Sequence, residues 1–180
     1  MDWKEEVQVR FKRGNQVLFS KTSEYLQDLT LLFQGQDHRG MVLWALSLAE
    51  ETVEKLERKY PDEKRPREAL EAAQAWAAGE IKMRPAQRKI LDCHAAAKSI
   101  SSREDIALFH AVGQACAVVH TAGHAIGFPI YELSAIIYRE GLENCAPAVE
   151  RRKREYIGRL FYWSTHWTEH EWKWAAFLLP

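Results

Sequence analysis

Apolar residues recur every third or fourth position along most of this chain, the spacing of an amphipathic helix. Ser23 can cap a helix carrying Leu26, Leu29, Leu32 and Phe33, with Gly35 as its stop. The next stripe, Val42, Leu46, Ala49, Val53, Leu56 and Tyr60, predicts a helix over 39–60 that ends at Pro61. Pro66 opens a helix with Leu70, Ala73, Trp76 and Ala77 that stops at Gly79. Pro85 opens another, with Ile90, Leu91, His94 and Ala97. Gly127 and Pro129 introduce a helix over 130–140 closed by Gly141, and Pro147 opens a last helix that can run well past Tyr162.

Between 106 and 131 the chain has no Asp, Glu, Lys or Arg, yet it holds His110, His120 and His124. Ser101 and Glu104 form a capping-box pattern before it. The run predicts a buried central helix over 106–125. It is long enough for a membrane span, but its histidines, Gln114 and Thr121 are expensive in lipid. Only the first segment departs from the helical pattern. Val7, Val9 and Phe11 alternate, Gly14-Asn15 offers a turn, and Val17 and Phe19 alternate again. That reads as a short N-terminal β-hairpin or as a leader to the first helix. The expected fold is all-α: one domain over 1–180, a bundle of about six to eight helices.

The chain has 180 residues, enough for one real core. Its 25 basic and 25 acidic residues balance, so nothing draws it to nucleic acid or an anionic membrane. The run Arg151–Arg154 lies between Glu150 and Glu155 and reads as a solvated face. The N-terminus shows no apolar signal segment, which predicts a cytoplasmic protein. Cys93, Cys116 and Cys145 lack metal-type spacing and read as reduced thiols, the first two as small core residues.

Cys116, His120 and His124 stand four apart, so a continuous helix would set them on one face. Two imidazoles so placed can reach one metal, with His94 or Asp92 as a third ligand. The bland alternative is hydrogen-bonded interior histidines. No Glu-x-x-His occurs and Thr121 follows His120, so neither a di-iron bundle nor an H-E-x-x-H protease can be built. What survives resembles the DinB-like metal-binding bundles, without the residues that commonly follow their second histidine. No catalytic residue set emerges, and no cofactor is expected.

The C-terminal pattern Leu160, Trp163, Trp167, His170, Trp174 and Phe177 would form one aromatic helical face, and His166 and His170 a second H-x-x-x-H. Such a face either closes the core or is an anchor surface for a partner, with Trp163, Trp167, His170 and Trp174 as the contacts. A homodimer through it is a further option.

Three segments, 69–83, 90–100 and 110–136, carry a W-x-x-G-E-I-K-M string, a His-Ala-Ala helix and an H-x-x-x-H-A-x-G followed by a tyrosine. Together they resemble bacterial immunity proteins of polymorphic toxin systems, the Imm-five-like group, over about 40–139. The resemblance implies an all-helical cytoplasmic protein that neutralises a cognate protein toxin by binding it. It sets Trp76, Gly79, Glu80, Lys82, His94, His120, His124 and Tyr131 in motif positions. A polar pocket of Glu80, Lys82, His94, His120, His124 and Tyr131 is the expectation that follows.

Overall fold

The computed structural model describes residues 2–180. Among them the elements are α1 (Trp3–Lys12), α2 (Gln27–Phe33), α3 (His38–Lys59), α4 (Arg65–Ala77), α5 (Met83–Ala96), α6 (Arg103–Ala117), α7 (Gly127–Glu140) and α8 (Ala146–His166), with short 3₁₀ turns between. Eight α-helices and no strand among the described residues make the fold an all-α bundle. α6 is its centre, packed against α3, α4, α5 and α7, while α8 lies along α3 and α7. No helix among the described residues is long and apolar enough to cross a membrane.

The local signals place most boundaries. Asp37 caps α3 by accepting from the Arg39 N–H, and Pro66 sits in the first turn of α4. α4 ends at Gly79, whose φ of +76° lets the Gly79 and Glu80 N–H groups close on the Trp76 and Ala75 carbonyls. The capping pattern before α6 lies one residue later than expected. Ser102, not Ser101, accepts the N–H of Asp105. That register lets Asp105 turn inward to Lys59 and Tyr60, at 2.7 Å each.

Four further expectations are corrected. The N-terminal alternation forms no hairpin, because Val7 faces the core from α1 while Val9 stays wet. Acidic Glu5 and Glu6 in the first turn and basic Arg10 and Lys12 in the last suit the helix dipole. The would-be second strand is a loop pinned by α7. There the Leu18 N–H donates to Ser134 Oγ at 2.9 Å, and Tyr138 Oη donates to the Asn15 carbonyl at 2.6 Å.

The uncharged run is not one helix over 106–125. α6 stops at Ala117, and the chain turns through Val118–Thr121 into a 3₁₀ turn at Ala122–His124. His38 Nε2 donates to the Val118 carbonyl at 2.6 Å and so satisfies an acceptor the helix leaves open. Burial holds for most of the run, but His120 is exposed.

The tail is not a helical aromatic face either. α8 ends at His166, and the chain doubles back in extended form over 170–175. Leu160 and Trp163 remain in α8, whereas Trp167, His170 and Trp174 lie beyond it, and all four aromatic side chains are half-buried. Arg39 lies 4.0 Å over the Trp167 ring, and Trp163 and Trp174 flank His170. The Ala175 N–H donates to the Ala77 carbonyl at 2.8 Å, capping α4 from outside. Phe177 then meets Trp76 with ring centroids 5.6 Å apart.

The run Arg151–Arg154 is solvated only at its ends, where Arg151 and Arg154 are exposed. Arg152 turns inward to the buried Glu132, and Lys153 pairs with Asp28 at 2.8 Å beneath the Tyr25 ring.

Candidate functional site

The histidines meet where α5 crosses α6. His94 sits on the inner side of α5, next to Cys93, whose thiol donates to the Phe109 carbonyl of α6. The imidazole lies flat on α6 at Gly113, where any Cβ would fall 2.3 Å from His94 Nε2. Glycine is what allows this approach. His94 Nδ1 is 2.8 Å from His110 Nδ1, so one nitrogen donates and the other accepts. The rings stack at 5.1 Å, and Tyr131 from α7 leans on His110 at 5.2 Å.

Around His94 opens a cavity of about 180 Å³. Its walls are Trp76, Ile90, Leu91 and Ala117, and its polar side is Gln87, Gln114, His120 and His124. His124 Nδ1 donates to Gln114 Oε1 at 3.3 Å, which leaves Nε2 as an acceptor. His120 lies nearly parallel to the Trp76 indole, with centroids 6.1 Å apart. At the rim Met83 and Leu91 are 42% and 60% exposed.

The structure therefore brings His94, His120 and His124 to one pocket, with Tyr131 behind it. Glu80 and Lys82 are elsewhere. Glu80 faces an open groove between α4 and the tail, lined also by Glu71, Glu171 and Trp174, and Lys82 begins α5 on the surface. The H-x-x-x-H face has no helix to carry it, since the chain breaks between Ala117 and Ala122. Among the described residues no three His, Cys, Asp or Glu side chains converge on a point that could hold a metal. The DinB-like arrangement therefore has no geometry here.

Sequence reasoning overlooked Gln114 and Gly113 as parts of this site and named His110 only as one of three histidines in the uncharged run. The available signal was that polar groups in an uncharged run must find partners.

Burial gives these groups their chemistry. It holds the His94 pKa at about 4, helped by His110 and His124 nearby, and it lowers His110 and His124 as well. All three imidazoles are thereby kept neutral at pH 7. Burial pushes the Cys93 thiol up to about 12, so it is no nucleophile.

One consequence is acid sensitivity. An unfolded His94 takes a proton near pH 6.5, while the folded one does so only near 4. Between those values the unfolded chain binds more protons, so stability falls as pH falls. Above pH 6.5 the effect vanishes. Discounted for partial exposure, the loss by pH 5 is about 1–2 kcal/mol from His94. Melting curves at pH 7.5, 6.5, 5.5 and 5.0 should show this fall, and His94→Gln should flatten it. A wild-type melting temperature that is level across the range would contradict the neutral imidazole pair.

Over residues 31–159 the chain matches the family described as "Imm-5 like putative immunity protein". The chain belongs to that family. No curated protein and no solved structure gave a match. The Imm-5 like region begins within α2 and ends within α8, wider than the 40–139 that the motifs outline. It contains every residue of the histidine pocket, whereas the tail beyond Arg159 lies outside it.

Proposed function

We propose that this chain is a cytoplasmic immunity protein that neutralises a cognate toxin by direct contact, with no chemistry of its own. The match to the Imm-5 like family over residues 31–159 carries this reading. Two features of the site support it. The thiol beside the pocket is inert, and the pocket opens between Met83 and Leu91, apolar side chains left wet at a concave mouth. Exposed apolar groups around a pocket are the usual form of a protein docking site. Neither nucleic acid nor membrane is a partner in this reading. The net charge is zero, and Arg152 and Lys153 are spent on internal pairs. Self-association through the aromatic tail is not needed, because the tail packs on its own chain.

The test is protection of bacteria that express the cognate toxin domain. The wild-type chain should restore growth and co-purify with the toxin. Leu91→Arg with Met83→Arg should melt normally yet lose at least tenfold in affinity. Full binding by that double variant would remove the pocket mouth from the interface. No binding by the wild type would remove the immunity reading itself.

A further inference from the structure

The pocket has a size and a lining that specify its occupant. At about 180 Å³ it is smaller than the roughly 300–1,000 Å³ of cofactor and drug-sized sites. It is much larger than the ~30 Å³ share of one water, and an apolar cavity of about 150 Å³ takes up a benzene ring. One six-membered ring therefore fits and a fused cofactor does not.

No Asp, Glu, Lys or Arg lines the cavity, so a charged ligand would find no counter-ion there. The walls offer apolar surface in Trp76, Ile90 and Leu91. The polar side offers unused hydrogen-bonding capacity. Among the described residues no partner is formed by His94 Nε2, His124 Nε2, either nitrogen of His120 or the Gln114 amide nitrogen. A benzene ring would displace water from His124 Nε2 and the Gln114 amide and offer no hydrogen bond in return, at a cost. A phenol would not, since its hydroxyl can donate to the bare His124 Nε2 and accept from the Gln114 amide.

We propose that this pocket is a receptor for a single phenol ring, supplied as a tyrosine side chain by the bound partner. The inference rests on the immunity reading for the source of the ring, but not for the chemistry of the pocket. Tyrosine is favoured over a free phenol because the mouth is flanked by exposed Met83 and Leu91, which a free ring would leave wet and a protein surface would cover. Buried aromatic anchors of this kind commonly dominate protein interfaces.

The probe is 4-methylphenol, the tyrosine side chain without its backbone, with toluene as the matching phenylalanine analogue. NMR titration of the purified chain without toxin is expected to give 4-methylphenol a dissociation constant on the order of 1–10 mM, as befits so few heavy atoms. Toluene should bind at least about fivefold more weakly. Shifts should appear at the Trp76 indole and the His94, His120 and His124 rings. Contacts from the ligand methyl should reach Ile90 and Met83, which locates the ring without any variant. Ala117→Leu, which fills the cavity from its wall, should abolish binding with the fold intact. Absent binding, equal binding of both rings, or ligand contacts away from Ile90 would each overturn the proposal. Saturating toxin domain should then displace 4-methylphenol. If the phenol stays bound beside the toxin, the ring does not come from the partner and the proposal fails on that point, while immunity stands. If the phenol binds but the toxin never does, the immunity reading fails and the partner assignment falls with it.

Discussion

Replacing Arg152 with alanine is expected to destabilise the protein by about 3–5 kcal/mol, because it strands a buried carboxylate. Glu132 on α7 has a side chain only 2% exposed, and Arg152 grips both its oxygens, through Nε at 2.8 Å and Nη2 at 3.0 Å. Tyr156 Oη donates to the same carboxylate, and Glu51 from α3 holds the guanidinium at 3.0 Å. The network ties α3, α7 and α8 together. Without Arg152 the carboxylate must stay charged in an apolar setting or take up a proton. For a domain of this size the loss corresponds to a melting temperature roughly 10 °C lower. Combining Arg152→Met with Glu132→Leu should recover much of it, since an apolar pair leaves no buried charge. A change under about 1 kcal/mol in Arg152→Ala would mean that water already reaches Glu132.

Ending the chain at Tyr162 is expected to cost on the order of 5 kcal/mol. The segment removed buries Ala175 and Leu178 and half-buries four tryptophans. It also takes away the N–H that satisfies the Ala77 carbonyl, the Phe177 ring on Trp76 and the Trp167 ring under Arg39. Trp76 is a wall of the histidine pocket, so the truncated chain should also show weaker binding of 4-methylphenol. Thermal melts and the same titration would check both effects. If the truncated chain melts unchanged and only self-association is lost, the tail belongs to an interface and not to the bundle.

The helices were legible because their causes are local. Prolines 66 and 147, Gly79 and Gly141, and the three-and-four spacing of α3 each act within one helical turn of the residues they constrain. The caps show the limit of that reading. Ser101 and Ser102 are both suitable caps by pattern, and only the inward turn of Asp105 to Lys59 and Tyr60 selects the second. In the basic run, likewise, nothing local distinguishes Arg152 from Arg151. The partner that does so is Glu132, twenty residues away.

By itself, then, the sequence determined that the chain is helical, where most helices begin and end, that most of 106–125 is buried, and which residues carry the family resemblance. Tertiary structure alone decided that the uncharged run breaks after Ala117, because the Val118 carbonyl finds His38 from eighty residues earlier. It decided that His94 pairs with His110, because Gly113 lets the two helices close on the imidazole. It decided too that the aromatic tail folds back as extended chain, because α4 presents an open carbonyl and Trp76 to receive it. Periodicity and capping are properties of neighbouring residues. The histidine pocket is made by contacts between α4, α5, α6 and the turn before α7, and those depend on how the helices pack.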